Sequence, residues 1–400
     1  ANAKAEMAAA DYPMIRMFIV PCKIKDPKPQ VRCDGEWKVC TPQNVHRFSA
    51  ALYFFGRDLY KKLKTPVGLI NSSKGATRIE AWLDQKTVKK FKHIMAAKAL
   101  ADKEDAGFDR KAAAEKTKAI KKKYEEDKKV WLAGGRKGKA PGPIWVKLRR
   151  LTPPKLRENY PANLYNNMIN PCKGYTLRGL IWYQGESNSR DWAKYDKMLV
   201  ALIENWRAEW KQGDIPFICV QLPNYRKAWN QNLPYKDGEW AEIRQAFVKV
   251  AKIVPKTYYT INIDIGDAKK IHPENKQDVG KRLMLMALKK VYNQSGFAWG
   301  GPEFVSARAE GGKVIVTWKT NGASLDVRGK GKIFGLVLSD ASGKIEKADA
   351  RIIDDNHLEV SAPGITKPVM VAYAWADNPE GANLINRAGL PAEPFRCRIK

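Results

Sequence analysis

Residues 177–189, Leu-Arg-Gly-Leu-Ile-Trp-Tyr-Gln-Gly-Glu-Ser-Asn-Ser, decide the fold class. The run Gly-Leu-Ile-Trp-Tyr has apolar side chains on both faces of an extended chain, as a parallel strand covered by helices requires, and it ends abruptly in polar and small residues. Pro216–Leu222 (PFICVQL) repeats the pattern, and Tyr258–Ile265 is a third such run. Upstream, residues 44–64 place Phe48, Leu52, Phe55 and Leu59 at helical spacing behind Asn44 as an N-cap, and Pro66–Asn71 follows as a short apolar strand. Helical patterns at 195–210 and 278–292 complete the alternation. The body reads as a three-layer α/β sheet whose strands near 66–70, 177–183, 216–222 and 258–265 end on one side.

Two stretches break this rhythm. Residues 86–140 are rich in Ala, Lys and Glu and run into GGRKGKAPGP, which predicts a solvated helical excursion that adds little to the core. From about Gly300, short β-rich runs such as KVIVTW and VMVAYAW alternate with turn signals, predicting a separate small β domain. The expected domains are 1–298, with a basic insertion at about 86–158, and 299–400.

Composition narrows the function classes. With 400 residues, 44% hydrophobic, 28% charged and 10% aromatic, the chain is globular, and no run approaches the roughly 20 apolar residues of a membrane span. The net charge of +30 raises a polyanion as partner, but residues 86–158 hold 23 Lys/Arg against 9 Asp/Glu, so much of the charge is local. No interleaved aromatic pattern supports nucleic acid, and a polyanionic glycan is the alternative partner for the insert. No C-x-x-C pair occurs among the six cysteines, although a bridge such as Cys33 to Cys40 fits the count. Dinucleotide, P-loop and zinc spacings are absent, so no cofactor or metal is expected. No targeting signal precedes Asp11.

Three loops that follow predicted strands carry the candidate chemistry: Asn71–Arg78, Trp182–Asn188 and Asp264–Pro273. Together they offer small residues for backbone approach, amide side chains as donors, and acids near a histidine, the ingredients of acyl transfer. Four segments then carry a resemblance. LYNNMINPCKGYTLRGLIWYQGESNS, PVGLINSSKGATRIEAW, IDIGDAKKIHPENKQDVGKRL and YAWADNPEGANLINRAGLPAEPF resemble the sialate O-acetylesterase family of SGNH hydrolases, in order, from about Asp11 to Pro394 outside the insert.

The resemblance implies a flavodoxin-like three-layer α/β/α SGNH domain, with the Lys-rich helical insertion and the small C-terminal β domain added to it. It implies a Ser-His-Asp type esterase removing O-acetyl groups from sialic acid or related sugars, without metal or cofactor, in a periplasmic or secreted location. The family's nucleophile lies in a Gly-Gln-Ser-Asn-Met motif shortly before the stretch corresponding to AEMAAADYPMIRMF, and no such motif occurs here. The expectation is a serine on an upstream segment; the alternative is a glycan-binding protein that keeps the fold. Ser187 is a poor substitute, because Gly-Glu-Ser-Asn-Ser lacks the second glycine of a nucleophile elbow.

Among the four histidines His272 is the expected general base. The usual acid, three residues earlier, is Lys269 here, and the residue two before is Lys270, so Asp267 is the expected acid partner, with Asp264 the alternative. Gln184 and Asn188 are candidate side-chain donors to an oxyanion and Gly75 a backbone donor. Glu186 is a candidate substrate contact or a strut of its loop. Arg78 could meet a substrate carboxylate, with an ion pair to Glu80 as the competing reading.

Overall fold

The computed structural model describes residues 2–228, 238–329 and 331–399. It is a mixed α/β structure with parallel strands followed by antiparallel sheets, divided into two compact units: 1–20, 35–72 and 175–400 in one, 21–34 and 73–174 in the other.

In the first unit, strands β1 (Tyr12–Ile19), β2 (Trp37–Cys40) and β3 (Val67–Asn71) form one sheet of order β2-β1-β3, parallel across β1/β3 and antiparallel across β1/β2. Strands β4 (Leu180–Trp182), β5 (Phe217–Val220) and β6 (Thr257–Thr260) form a second, wholly parallel sheet. The four expected strands exist within a few residues of their predicted bounds, but the single sheet does not: 67–71 pairs with β1, not with 180–182. β1 escaped the reading because Pro13 and Arg16 interrupt its apolar run.

The helix Ala50–Leu63 is capped by Ser49, whose hydroxyl accepts from the Leu52 N–H, rather than by Asn44, whose amide donates to the Val39 carbonyl. Its partner Lys276–Lys290 starts at the cap Asn275 and lies close against it. A Cβ at Gly280 would come within 2.7 Å of the Phe55 backbone nitrogen, so this crossing tolerates no side chain there. All six cysteines are unbridged; Cys40 is packed with Val45 and Tyr53 in the core, out of reach of oxidative pairing.

The antiparallel strands begin at Glu303, close to the expected 298/299 boundary, yet they belong to the same compact unit as the parallel sheets. One buried contact shows how they join. The Tyr259 hydroxyl of β6 donates to Glu393 Oε2 at 2.7 Å, and the Phe304 N–H donates to the same oxygen. Burial, with Glu303 nearby, pushes the Glu393 carboxyl up to about 7 against the lowering bond from Tyr259.

The second unit holds the insertion. The helix Arg110–Ala133 buries only Ala113, as a solvated excursion should. Lys92–Ala106 does not fit that description: Ile94 is 1% exposed, and buried Asp105 accepts from Arg110 and from the Lys155 N–H. The protruding part therefore starts near 110, not 86.

A carboxyl whose folded pKa is raised above its ordinary value of 4.5 holds its proton more tightly folded than unfolded, so stability falls as pH rises from about 4.5 to about 7. Glu393→Gln keeps an acceptor for Tyr259 and removes this titration. The variant should match the wild type near pH 4.5 and exceed it above pH 7 by on the order of 3 kcal/mol, measured by chemical denaturation; a pH-independent difference would contradict this assignment.

Candidate active site

β4 delivers the central turn. Trp182 Nε1 donates to the Tyr195 hydroxyl at 3.1 Å, Tyr195 donates to Gln184 Oε1 at 2.9 Å, and Gln184 Nε2 donates to Asn188 Oδ1 at 2.8 Å. This buried relay fixes both amides, because each carbonyl oxygen already accepts from a defined donor. The turn needs glycine: Gly185 has φ 152°, and a Cβ would lie 2.9 Å from Ile243 Cγ2. The Asn188 N–H closes the turn on the Gly185 carbonyl at 2.9 Å.

Three carboxylates bear on the predicted histidine, Asp264 and Asp267 near it in sequence and Glu186 far from it, and their environments differ. Asp264 is buried against Arg282 in a bidentate pair (2.7 and 2.9 Å) and also accepts from Arg328 at 2.8 Å. Burial alone would raise its pKa, but the bonds and charges of Arg282 and Arg328 outweigh it and hold the carboxyl below the usual range. Asp267 is exposed, and its Oδ1 accepts from the backbone N–H groups of Lys269 and Lys270, which lower its pKa. One of its two carboxylate oxygens is thus held within its own turn.

Glu186 is the acid whose environment includes the histidine. Burial pushes its carboxyl up, while its own N–H, the His272 imidazole, Lys276 and the Gly185 N–H act in the opposite direction. Burial in turn lowers the Lys276 ammonium, with Glu186 opposing, and Lys276 Nζ lies 5.3 Å from the centre of the Tyr183 ring. Glu186 thus lies within electrostatic reach of Lys276 and of His272, whose side chain is exposed, in the turn that holds the Gln184–Asn188 pair. The familiar Asp-x-x-His spacing does occur elsewhere, at Asp354 and His357, 2.8 Å apart; there Asp354 also caps the N–H groups of Asn356 and His357 on an exposed turn.

Residues to which the sequence reading gave no role hold the histidine loop. The Gly266 N–H donates to Asn224 Oδ1 at 2.6 Å, and a Cβ at Gly266 would fall 1.9 Å from the Asn224 carbonyl oxygen. Asn224 donates to Asn378, and Asn378 donates to the Arg226 carbonyl. Beneath them Arg244, 1% exposed, donates to the carbonyls of Leu222, Pro223, Ala376 and Asp377 at 2.6–3.0 Å. Arg244 shares the stripe Trp240, Ile243, Phe247 of its helix Glu239–Ile253, so a lone cation on an apolar face was the available signal.

Gly75 and Arg78 lie in the second unit. Arg78 Nη2 and Nε contact Glu80 Oε1 at 2.9 and 3.2 Å, so the guanidinium neutralises a buried carboxylate within its own loop. No heavy atom lies within 4 Å of where a Gly75 Cβ would stand, so packing does not demand glycine there. Among the described residues no group of three His, Cys, Asp or Glu is placed to hold a metal ion, and no helix is long and apolar enough to cross a membrane.

With this geometry in view, the comparisons are consistent. Residues 151–285 match the family model described as carbohydrate esterase, sialic acid-specific acetylesterase. Sialate O-acetylesterase of Mus musculus is 28% identical over 75% of this chain and 55% of its own length; that of Homo sapiens is 26% identical over 98% and 71%. The chain thus spans about half the length of the mouse protein. A crystal structure of a carbohydrate acetylesterase from Xanthomonas citri superposes with a TM-score of 0.77 at 31% identity, over 99% of this chain and 76% of that one. Fold and sequence together define an α/β protein of the carbohydrate esterase class. Within that class the chain belongs to the sialic acid-specific acetylesterase family.

Gly266→Ala should displace the 264–273 loop from Asn224, because the clash is with backbone. A loss of about 2–4 kcal/mol in denaturant unfolding is expected, with perturbed His272 NMR resonances. An unchanged His272 environment would show that this contact does not position the loop.

Proposed function

We propose that this chain supplies the general base and oxyanion-facing amides of an O-acetylesterase acting on sialic acid or a related acetylated sugar. The observation carrying the proposal is that Glu186, in the turn that holds the hydrogen-bonded pair Gln184 and Asn188, lies within electrostatic reach of His272 on the 264–273 loop. Family membership supports the substrate class, and the flavodoxin-like α/β/α layering and an exported location belong to the same reading.

In the proposed reaction, His272 takes the hydroxyl proton of a serine as its oxygen attacks the acetyl carbon. Asn188 stabilises the developing oxyanion, and Glu186 orients the imidazole and balances its positive charge. The acetyl–sugar C–O bond breaks, the sugar oxygen takes the proton from His272, and an acetyl-serine remains. Water, deprotonated by the same histidine, then releases acetate. We place the serine on a preceding segment in the Gly-Gln-Ser-Asn-Met context, which these 400 residues do not contain.

The test is hydrolysis of p-nitrophenyl acetate. The 400-residue chain should do no better than a protein control, and a protein extended by the upstream segment should be active. In the extended protein His272→Ala should lower kcat by a factor on the order of 10³ or more, and Glu186→Gln by roughly 10–100 with KM little changed. Activity of the shorter chain that vanishes with Ser187→Ala would sink the upstream-serine assignment. Binding of acetylated sugar without turnover by the extended protein would favour the glycan-binding alternative.

A further inference from the structure

The end of the insertion carries a second, independent feature. Residues 128–150 contain eight Lys/Arg (Lys128, Lys129, Arg136, Lys137, Lys139, Lys147, Arg149, Arg150) and no Asp or Glu. Lys128 reaches Glu125 at 4.0 Å and Arg149 acts on Glu158; the other six have no ion pair among the described residues. The same stretch exposes apolar side chains that a purely electrostatic surface would not need: Val130 is 74% exposed, Trp145 58%, Leu132 44% and Val146 44%. They sit at the end of the helix Arg110–Ala133 and at the start of the helix Trp145–Arg150, on either side of the loop that carries Arg136, Lys137 and Lys139. Trp131 Nε1 donates to the Gly138 carbonyl at 3.4 Å, folding that loop back on the helix end.

We propose that this tip docks on an anionic phospholipid surface. The charge complementarity is one half of the argument: each Lys or Arg near such a surface adds attraction, and no acid in the stretch opposes it. The apolar residues are the other half, and they decide between partners. A nucleic acid or sulfated glycan in water offers nothing that buries valine and leucine, whereas the headgroup boundary of a bilayer takes in Trp, Val and Leu while Lys and Arg stay with the phosphates. Among the described residues no helix is long and apolar enough to cross a membrane, so the proposed docking is on the surface rather than across it.

The experiment is co-sedimentation of the full chain with vesicles of phosphatidylcholine alone or mixed with phosphatidylglycerol. Binding is expected only to the anionic vesicles and should disappear near about 1 M salt, where the screening length falls to about 3 Å. The triple variant R136E/K137E/K139E should bind about 100-fold more weakly, and V130A/W145A about tenfold more weakly. Both should keep the wild-type thermal midpoint, since the altered side chains are exposed. Equal binding to neutral vesicles would overturn the proposal. So would tight binding to heparin with none to vesicles, or anionic vesicle binding unchanged in V130A/W145A.

Discussion

The Arg244 guanidinium is the contact on which the first unit turns. It is buried without a carboxylate in direct contact and donates to four carbonyls, two following β5 and two at Ala376–Asp377. Burial pulls its pKa down to about 9, with the Asp377 charge opposing. Desolvating an arginine costs several kcal/mol, and four good acceptors offset that cost only if all are held in place. The contact therefore acts less as a source of net stability than as a demand for one arrangement of two distant chain segments. Once they are set, the Asp377 carboxylate can accept from the Trp240 N–H and from Arg226, and Asn378 and Asn224 can reach Gly266. The antiparallel part of the chain, which composition marks as an accessory domain, thus participates in holding the histidine loop.

Much of this was legible in the sequence where one residue type reports on its immediate neighbourhood. Leu180–Trp182 and Phe217–Val220 are strands because apolar side chains on both faces leave no other burial pattern. Gln184, Glu186 and Asn188 drew notice because they come directly after such a strand, where an open α/β sheet offers its ligand-binding edge, and the structure does place them in the turn after β4. What failed depends on contacts between segments far apart in the chain. The separation into two sheets turns on which strand β3 pairs with, and a short apolar run carries no such information. That the Asp267 Oδ1 accepts from the N–H groups of Lys269 and Lys270 was likewise not legible from its spacing to the histidine. Asp264 looked equally available until Arg282, eighteen residues on, and Arg328 took both its oxygens.

The three carboxylates show why spacing is a weak guide to an acid's role. Asp264 is fixed as an anion by two guanidiniums, whose hydrogen bonds occupy both its oxygens and offset its charge. Asp267, wholly exposed, faces solvent screening that dilutes any pull it exerts on a neighbour. Glu186 differs from both. Burial leaves its charge poorly solvated, so the anion gains most from a cation beside it, and in the proposed reaction the His272 imidazole would be that cation. Lys276 opposes the rise that burial causes in the Glu186 pKa, and burial lowers its own. In the proposed pairing, an acid in the turn after β4 and a histidine after β6 need no fixed spacing along the chain. The pairing needs only that the two strand ends be neighbours, and the parallel order β4-β5-β6 places both loops at the same end of one sheet.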